Sequence, residues 1–273
     1  MTSFTGPGRL FPRSSLYAPH PLVSATLDSN LRQTLAAISS CATRSGRAAD
    51  DVSLVAVTKS VGARTAAELV RLGQRDLGEN RLPSLLAKRA QLEREGLEVR
   101  WHFIGHIQRN KARRVVQSSE VLHSVDSLRL IDTLERVAAE EARRIGVYLE
   151  VKLAQDDQKQ GLAPAELSAA VERAGAAEHL ELVGLMTMAP QPAPGADPTR
   201  SARPTFEELS RLARELEKDT HLAKAFTDCR VQLSMGMSGD YPAAIAAGSD
   251  LVRVGTALFR GVETDAPETG GLA

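Results

Sequence analysis

The sequence predicts a single α/β domain of the (β/α)8 TIM barrel class, and three observations carry that prediction. Short, apolar, β-branched runs recur down the chain and read as parallel strands buried on both faces. Segments with helical periodicity separate them, as right-handed crossovers require. The runs also keep ending in small, polar or cationic residues: LVAVTKS, GEN, HFIG, LMTM, SMGMS and VRVGT. In a barrel the C-terminal strand ends share one rim, and the rim carries the site. A doubly wound open sheet is the competing topology, but neither GxGxxG nor GxxxxGK[ST] occurs to support it.

Asp28 or Ser29 is expected to cap a helix through Leu31, Leu35, Ile38 and Ala42, stopped at Gly46. A strand over 52–58 follows, then a helix over 64–72, a short strand over 75–78 and a helix through Leu85 and Leu92. Strands are expected over 99–104 and 121–124, and Ser127 caps a helix bearing Leu128, Ile131 and Leu134. Further strands fall over 147–153 and 180–185. The run MAPQPAPGADPTRSARP is too rich in Pro and Ala to be regular and reads as a long loop, after which Thr205 and Glu208 form a capping box. The last strands are 231–234 and 251–254, with a helix between them opening near Asp240 and closing at Gly248.

A chain of 273 residues, 42% hydrophobic, can bury one large core. With 34 basic and 34 acidic residues it has no electrostatic footprint for nucleic acid or an anionic membrane. No apolar stretch approaches the ~18 residues of a membrane span. Cys41 and Cys229 cannot frame a disulfide scaffold and read as buried small residues in a reducing compartment, so the chain is expected in the cytoplasm. Residues 1–26, with four prolines and no acidic residue, read as a disordered extension. Residues 27–262 form the barrel and 263–273 a flexible tail.

Lys59 leaves the first strand at the rim; alone it is an ordinary snorkelling lysine. On a buried rim, desolvation favours a neutral amine able to attack an aldehyde. Gly255 and Thr256, at the end of the last strand, offer backbone N–H groups and a hydroxyl to an anion, and Ser238 offers a second hydroxyl after the seventh strand. Each is by itself an ordinary turn; together, on adjacent strands, they read as a phosphate corner. Arg253 lies two residues before Gly255, on the same barrel side. It could donate to a pyridine nitrogen, and because guanidinium does not give up its proton that nitrogen would remain largely unprotonated. Lysine, arginine and Gly-Thr on one rim point to a phosphorylated aldehyde cofactor held as a Schiff base. Asn80 and His102 are expected to line the pocket wall, and Met235 is core filler or a neighbour of a flat ring. His102 and His106 lack the further ligands a metal needs. Lys159 reads as a solvent-exposed cation.

With these residues in place, the string LVAVTKS, GQRDLGEN, WHFIGHIQRNK, HSVDS, KQGL, GLMTMAP and SMGMSGDYPAAIAAGSDLVRVGTALF, with Arg203-Pro204 and Phe206, resembles the pyridoxal phosphate homeostasis protein family. These are single-domain relatives of the alanine racemase N-terminal barrel, and the match runs from Asp51 to Phe259. The resemblance implies pyridoxal 5′-phosphate on Lys59, phosphate contacts at Ser238, Gly255 and Thr256, and Arg253 facing the pyridine nitrogen. It implies a non-catalytic carrier or buffer acting in vitamin B6 and amino-acid homeostasis. Its partners would be pyridoxal phosphate, the apo-enzymes that use it and free amino acids, with the chain a monomer or weak dimer. The alternative is an amino-acid racemase of the same barrel type, which needs a second base that none of Tyr17, Tyr148 and Tyr241 supplies from its place in the sequence. A phosphate-sugar-binding barrel without a Schiff base follows from the fold alone. Departures from the family pattern are Arg81 after GEN, Pro83, Gln160 and Arg260, which bear on rim contacts and release more than on the cofactor.

Overall fold

Strand β1 (Ser53–Val57) pairs in parallel with both β2 (Asp76–Glu79) and β8 (Leu251–Val254), so the sheet has no free edge. Between them β3 (Arg100–Phe103), β4 (Val121–Val125), β5 (Ile145–Glu150), β6 (Leu180–Met186) and β7 (Gln232–Ser234) follow in chain order, closing the predicted eight-stranded barrel. The computed structural model describes residues 24–153 and 160–267.

Helix α1 (Ala25–Arg44) precedes the barrel. The crossovers carry α2 (Ala63–Arg71), α3 (Leu82–Arg94), α4 (Ala112–Ser118), α5 (Leu128–Glu140), α6 (Leu167–Gly175), α7 (Pro198–Lys218), the short α8 (Thr220–Ala223) and α9 (Tyr241–Ala246). Outward strand residues such as Leu54, Ala56, Leu77, Val252 and Val254 pack with helix residues Leu69, Leu85 and Ile245 in one large apolar layer. A small separate cluster, Val121, Tyr148, Val183 and Met186, lies apart from that layer. TIM barrels usually fill their centre with branched apolar residues. This one also buries Asp76, His102, His123, Ser234 and Arg253 there, each less than a tenth exposed.

Several expectations are corrected. Helix α1 starts at Ala25, capped by Ser24, whose hydroxyl accepts from the Leu27 amide; Asp28 sits in its first turn and pairs with Arg32 at 2.8 Å. The expected loop before Thr205 is helical from Pro198 onward. Asp197 caps it by accepting from the Thr199 amide at 2.9 Å, and Pro198 occupies the first position, where a missing N–H costs nothing. Pro204 forgoes one helical bond, and burial of Ala202, Phe206, Leu209 and Leu216 offsets it; Thr205 is a buried helical residue, not a cap. Pro83 falls in the first turn of α3 and does not disturb it. Cys41 is buried but Cys229 is exposed. The expected tail is anchored at Asp265, whose carboxylate accepts from the Arg64 and Thr65 amides at 2.9 and 3.1 Å. No helix among the described residues is long and apolar enough to cross a membrane.

Candidate functional site

The end of β1 is clamped from outside the barrel. Thr58 donates its hydroxyl to Glu79 Oε1 at 2.6 Å, and Lys88 on α3 donates to the Thr58 carbonyl at 2.8 Å and to Ser84 Oγ at 3.1 Å while pairing with Glu79. Glu79 and Lys88 are both fully buried. This triad was not foreseen, because a lysine at a helix position four residues after Ser84 reads as surface. Lys59 follows at once, at the barrel mouth. It is exposed, so the fold by itself does not bury it as the sequence led one to expect.

Ser238, Gly255 and the end of β1 converge. The Gly255 amide donates to Ser238 Oγ at 3.3 Å, bridging the segments that follow β7 and β8. A Cβ on Gly255 would lie 2.9 Å from the Val57 carbonyl oxygen, so this corner sits directly against the strand that delivers Lys59. Gly236 holds a positive φ of 96° as the chain turns out of β7, and Asp240 accepts from the Met237 amide at 2.6 Å. Thr256 follows Gly255 and is exposed.

Arg253 is buried below this corner. Its Nη1 donates to the Ser234 carbonyl and hydroxyl oxygens at 2.8 and 2.6 Å, and Nη2 donates to the Thr187 carbonyl at 3.0 Å. A guanidinium carries five N–H groups and no acceptor. The three bonds leave Nε–H and one Nη2–H without an acceptor among the described residues. Burial pulls its pKa down to about 10, against the opposing charges of Glu150 and Asp240, so it remains a cation at neutral pH. Glu150, at the end of β5, is also buried; its carbonyl accepts from the Leu162 amide at 2.8 Å, and its carboxylate has no hydrogen bond among the described residues. Burial and then the Asp126 charge push its carboxyl up to about 7, while Arg253 acts the other way. Glu150 lay unmarked in the sequence, inside an expected strand.

Two predicted site residues do not reach the rim. His102 is 2% exposed and lies within the barrel: Nε2 meets Asp76 Oδ1 and Nδ1 meets His123 Nε2, both at 2.9 Å. Its two buried polar partners hold the ring inside the barrel, away from the mouth where Lys59 stands. Met235 is fully buried in the layer between strands and helices, because β7 turns Ser234 toward Arg253 and the next residue away from it. Asn80 stays at the mouth, half-buried, with its carbonyl so close to Gly105 that a Cβ there would lie 2.1 Å away. Lys159 lies outside the described residues; Arg81, Gln160 and Arg260 are exposed.

A closed parallel barrel with a lysine at the first strand end, a Ser238–Gly255 corner at the last two and a buried arginine beneath it matches a (β/α)8 barrel of the alanine racemase type. The chain belongs to that family: the family model described as alanine racemase, N-terminal domain, matches residues 31–262. Among curated relatives, the pyridoxal phosphate homeostasis protein of Synechocystis is 38% identical over 208 residues, spanning 76% of this chain and 90% of the relative. The protein of that name from Escherichia coli K12 is 34% identical over 237 residues, spanning 84% and 94%. Among solved structures, PipY of Synechococcus elongatus with pyridoxal phosphate bound is 33% identical, with a TM-score of 0.72 over 85% of this chain and 99% of that one. Alanine racemase from Corynebacterium glutamicum, at 17% identity and a TM-score of 0.59, shares the fold.

Proposed function

We propose that this chain binds pyridoxal 5′-phosphate at the barrel mouth and carries or buffers it, serving vitamin B6 and amino-acid homeostasis. The observation that carries the reading is Arg253, a buried cation with two N–H groups unclaimed by the described residues, beneath a corner built from Ser238 and Gly255 and beside the strand that ends at Lys59. These residues fit the cofactor: Gly255, Thr256 and Ser238 would hold its phosphate, Arg253 its ring nitrogen and Asn80 the pocket wall. Lys59, at the end of the first strand, would hold the cofactor through its side-chain amine at the aldehyde carbon. When bound, the cofactor supplies an electron-withdrawing ring to amines attached at its aldehyde carbon. Arg253 would donate to the ring nitrogen and, not giving up its proton, would keep that withdrawal weak, which suits storage over turnover.

Racemisation needs a second base at the ring. Tyr148 is buried within the barrel with its hydroxyl donating to Gln232 at 3.2 Å, Tyr241 opens α9, and Tyr17 lies outside the described residues. The carrier reading is therefore preferred. Its partners would be apo-enzymes and free amino acids, met in the cytoplasm by a monomer or weak dimer. The test is the absorbance of purified protein with added pyridoxal phosphate, followed by borohydride reduction and peptide mapping. Label on Lys59, lost in Lys59→Ala, is expected. Label elsewhere, or sustained alanine racemisation, would overturn the reading.

A further inference from the structure

A continuous hydrogen-bonded chain runs through the centre of the barrel from the floor to Arg253. At its lower end Arg100 pairs with Asp76, whose Oδ1 also meets His102 Nε2 at 2.9 Å. His102 Nδ1 meets His123 Nε2 at 2.9 Å, His123 Nδ1 meets Ser234 Oγ at 2.9 Å, and Ser234 Oγ accepts from Arg253 Nη1 at 2.6 Å. His102, His123 and Ser234 are no more than 2% exposed. The His123 ring is further fixed by stacking on Tyr148, with centroids 4.6 Å apart and planes 13° from parallel.

The two ends dictate the direction of every link. A guanidinium only donates and an ionised carboxylate only accepts. Burial would raise the Asp76 carboxyl, but the hydrogen bonds from His102 and Arg100 and the Arg100 charge outweigh it and hold the group low, so it is ionised at neutral pH. Burial, above all, lowers both histidines, His123 well below the ordinary value, so both rings are neutral. Asp76 must then receive Nε2–H from His102, which leaves His102 Nδ1 as an acceptor. His123 must supply Nε2–H to it, and its own Nδ1 must accept the Ser234 proton. Ser234 is free to do so because its lone pair already receives Arg253. From Arg253 to Asp76 every donor points one way, toward the floor, and Arg100 donates to the same carboxylate from the other side.

We propose that Ser234, His123 and His102 are positioning residues for Arg253: a one-way donor chain that fixes one edge of the guanidinium and presents its remaining N–H groups to a ring-nitrogen acceptor. This role rests on the cofactor reading above. Cutting the chain at His123 frees the Ser234 hydroxyl to turn, and the Arg253 bond to it loses its fixed partner. A ligand that uses Arg253 then suffers, whereas one without a ring nitrogen does not. A network serving only stability would not distinguish the two.

The experiment titrates wild-type protein, His123→Phe and Ser234→Ala with pyridoxal 5′-phosphate and with its 1-deaza analogue, in which C–H replaces the ring nitrogen. Both variants are expected to bind pyridoxal phosphate about tenfold more weakly, the loss of one charge-assisted bond, and the analogue within about twofold of wild type. Equal losses for both ligands, or none for either, would overturn the positioning role while leaving the cofactor reading intact. Wild-type protein that binds neither compound removes the cofactor reading and this role with it. Should His123→Phe fail to fold, Ser234→Ala, which removes one oxygen, gives the same comparison. Long-range proton–nitrogen NMR of the ligand-free protein tests the chain separately: both rings should be neutral Nε2–H tautomers, and Nδ1–H on His123 would overturn the direction of the chain.

Discussion

Gly255 and Val57 meet with no space for a side chain between them: a Cβ on Gly255 would stand 2.9 Å from the Val57 carbonyl oxygen and 3.3 Å from Val57 Cβ. Backbone oxygen cannot swing aside as a side chain can, so Gly255→Ala must separate the end of β8 from the end of β1. The substitution should destabilise the fold by about 1–3 kcal/mol and weaken pyridoxal phosphate binding more than tenfold, since amine and anion corner move apart. Urea unfolding and an absorbance titration measure the two effects; unchanged affinity would separate Gly255 from the site.

Glu150 makes stability depend on pH near neutrality. Its folded pKa of about 7 lies above the ordinary glutamate value of 4.5, so the folded state holds the proton more tightly than the unfolded chain. That contribution is complete below about pH 4.5 and is lost as pH rises through about 7, an effect on the order of 3 kcal/mol at most. Asp126 and Arg253 are the charges that act on it. Glu150→Gln should flatten the fall in unfolding free energy between pH 5 and 8 relative to wild type. Identical slopes in urea melts would show that the carboxyl ionises freely.

The barrel was legible because buried parallel strands are read directly from apolar runs, and eight of them with helical spacers leave few topologies. The places of Lys59, Ser238 and Gly255 at the mouth were legible because each ends or follows such a run, whereas Arg253, expected on the same rim, lies buried beneath it. The interior was not. Asp76, His102 and His123 alternate with apolar residues in strands, and a strand sequence does not say whether an inward polar residue reaches the rim or meets another polar residue below it. His102 was therefore assigned to the wall although it bonds Asp76 and His123. The start of α7 was missed for a different reason: Pro198 and Pro204 read as breakers, while position one tolerates the first and burial offsets the second.

Asp265 holds the C-terminal segment over the start of α2. Its carboxylate accepts from Thr65 Oγ1 at 2.5 Å as well as from two amides, and the Gly62 amide donates to the Asp265 carbonyl at 3.0 Å. Asp265→Ala removes an N-terminal cap worth about 1 kcal/mol. Faster hydrogen exchange at Arg64 and Thr65 than at Leu69 in the same helix is the expected signature. Uniform exchange along α2 would mean that the cap is not limiting.

The Glu79–Lys88 pair is the strongest constraint on where Lys59 stands. Both side chains are fully buried, and Glu79 Oε2 has no hydrogen-bond partner among the described residues, so the carboxylate depends on Lys88 and Thr58 through its other oxygen. Removing one member of a buried pair strands the other's charge in a medium that cannot solvate it. Lys88→Met should therefore cost about 3–5 kcal/mol, most of it the penalty of an unpaired Glu79. Replacing both, as Lys88→Met with Glu79→Leu, removes the stranded charge and should recover most of that loss. In the double variant Thr58 would lose its bonds to Glu79 and from Lys88, its hydroxyl keeping only the 3.5 Å bond to the Gly78 carbonyl, so the lysine that follows it would be held less firmly. The double variant is thus expected to unfold near the wild-type urea concentration yet react more slowly with pyridoxal phosphate at Lys59. Recovery of stability without any change in that rate would assign the triad to folding alone.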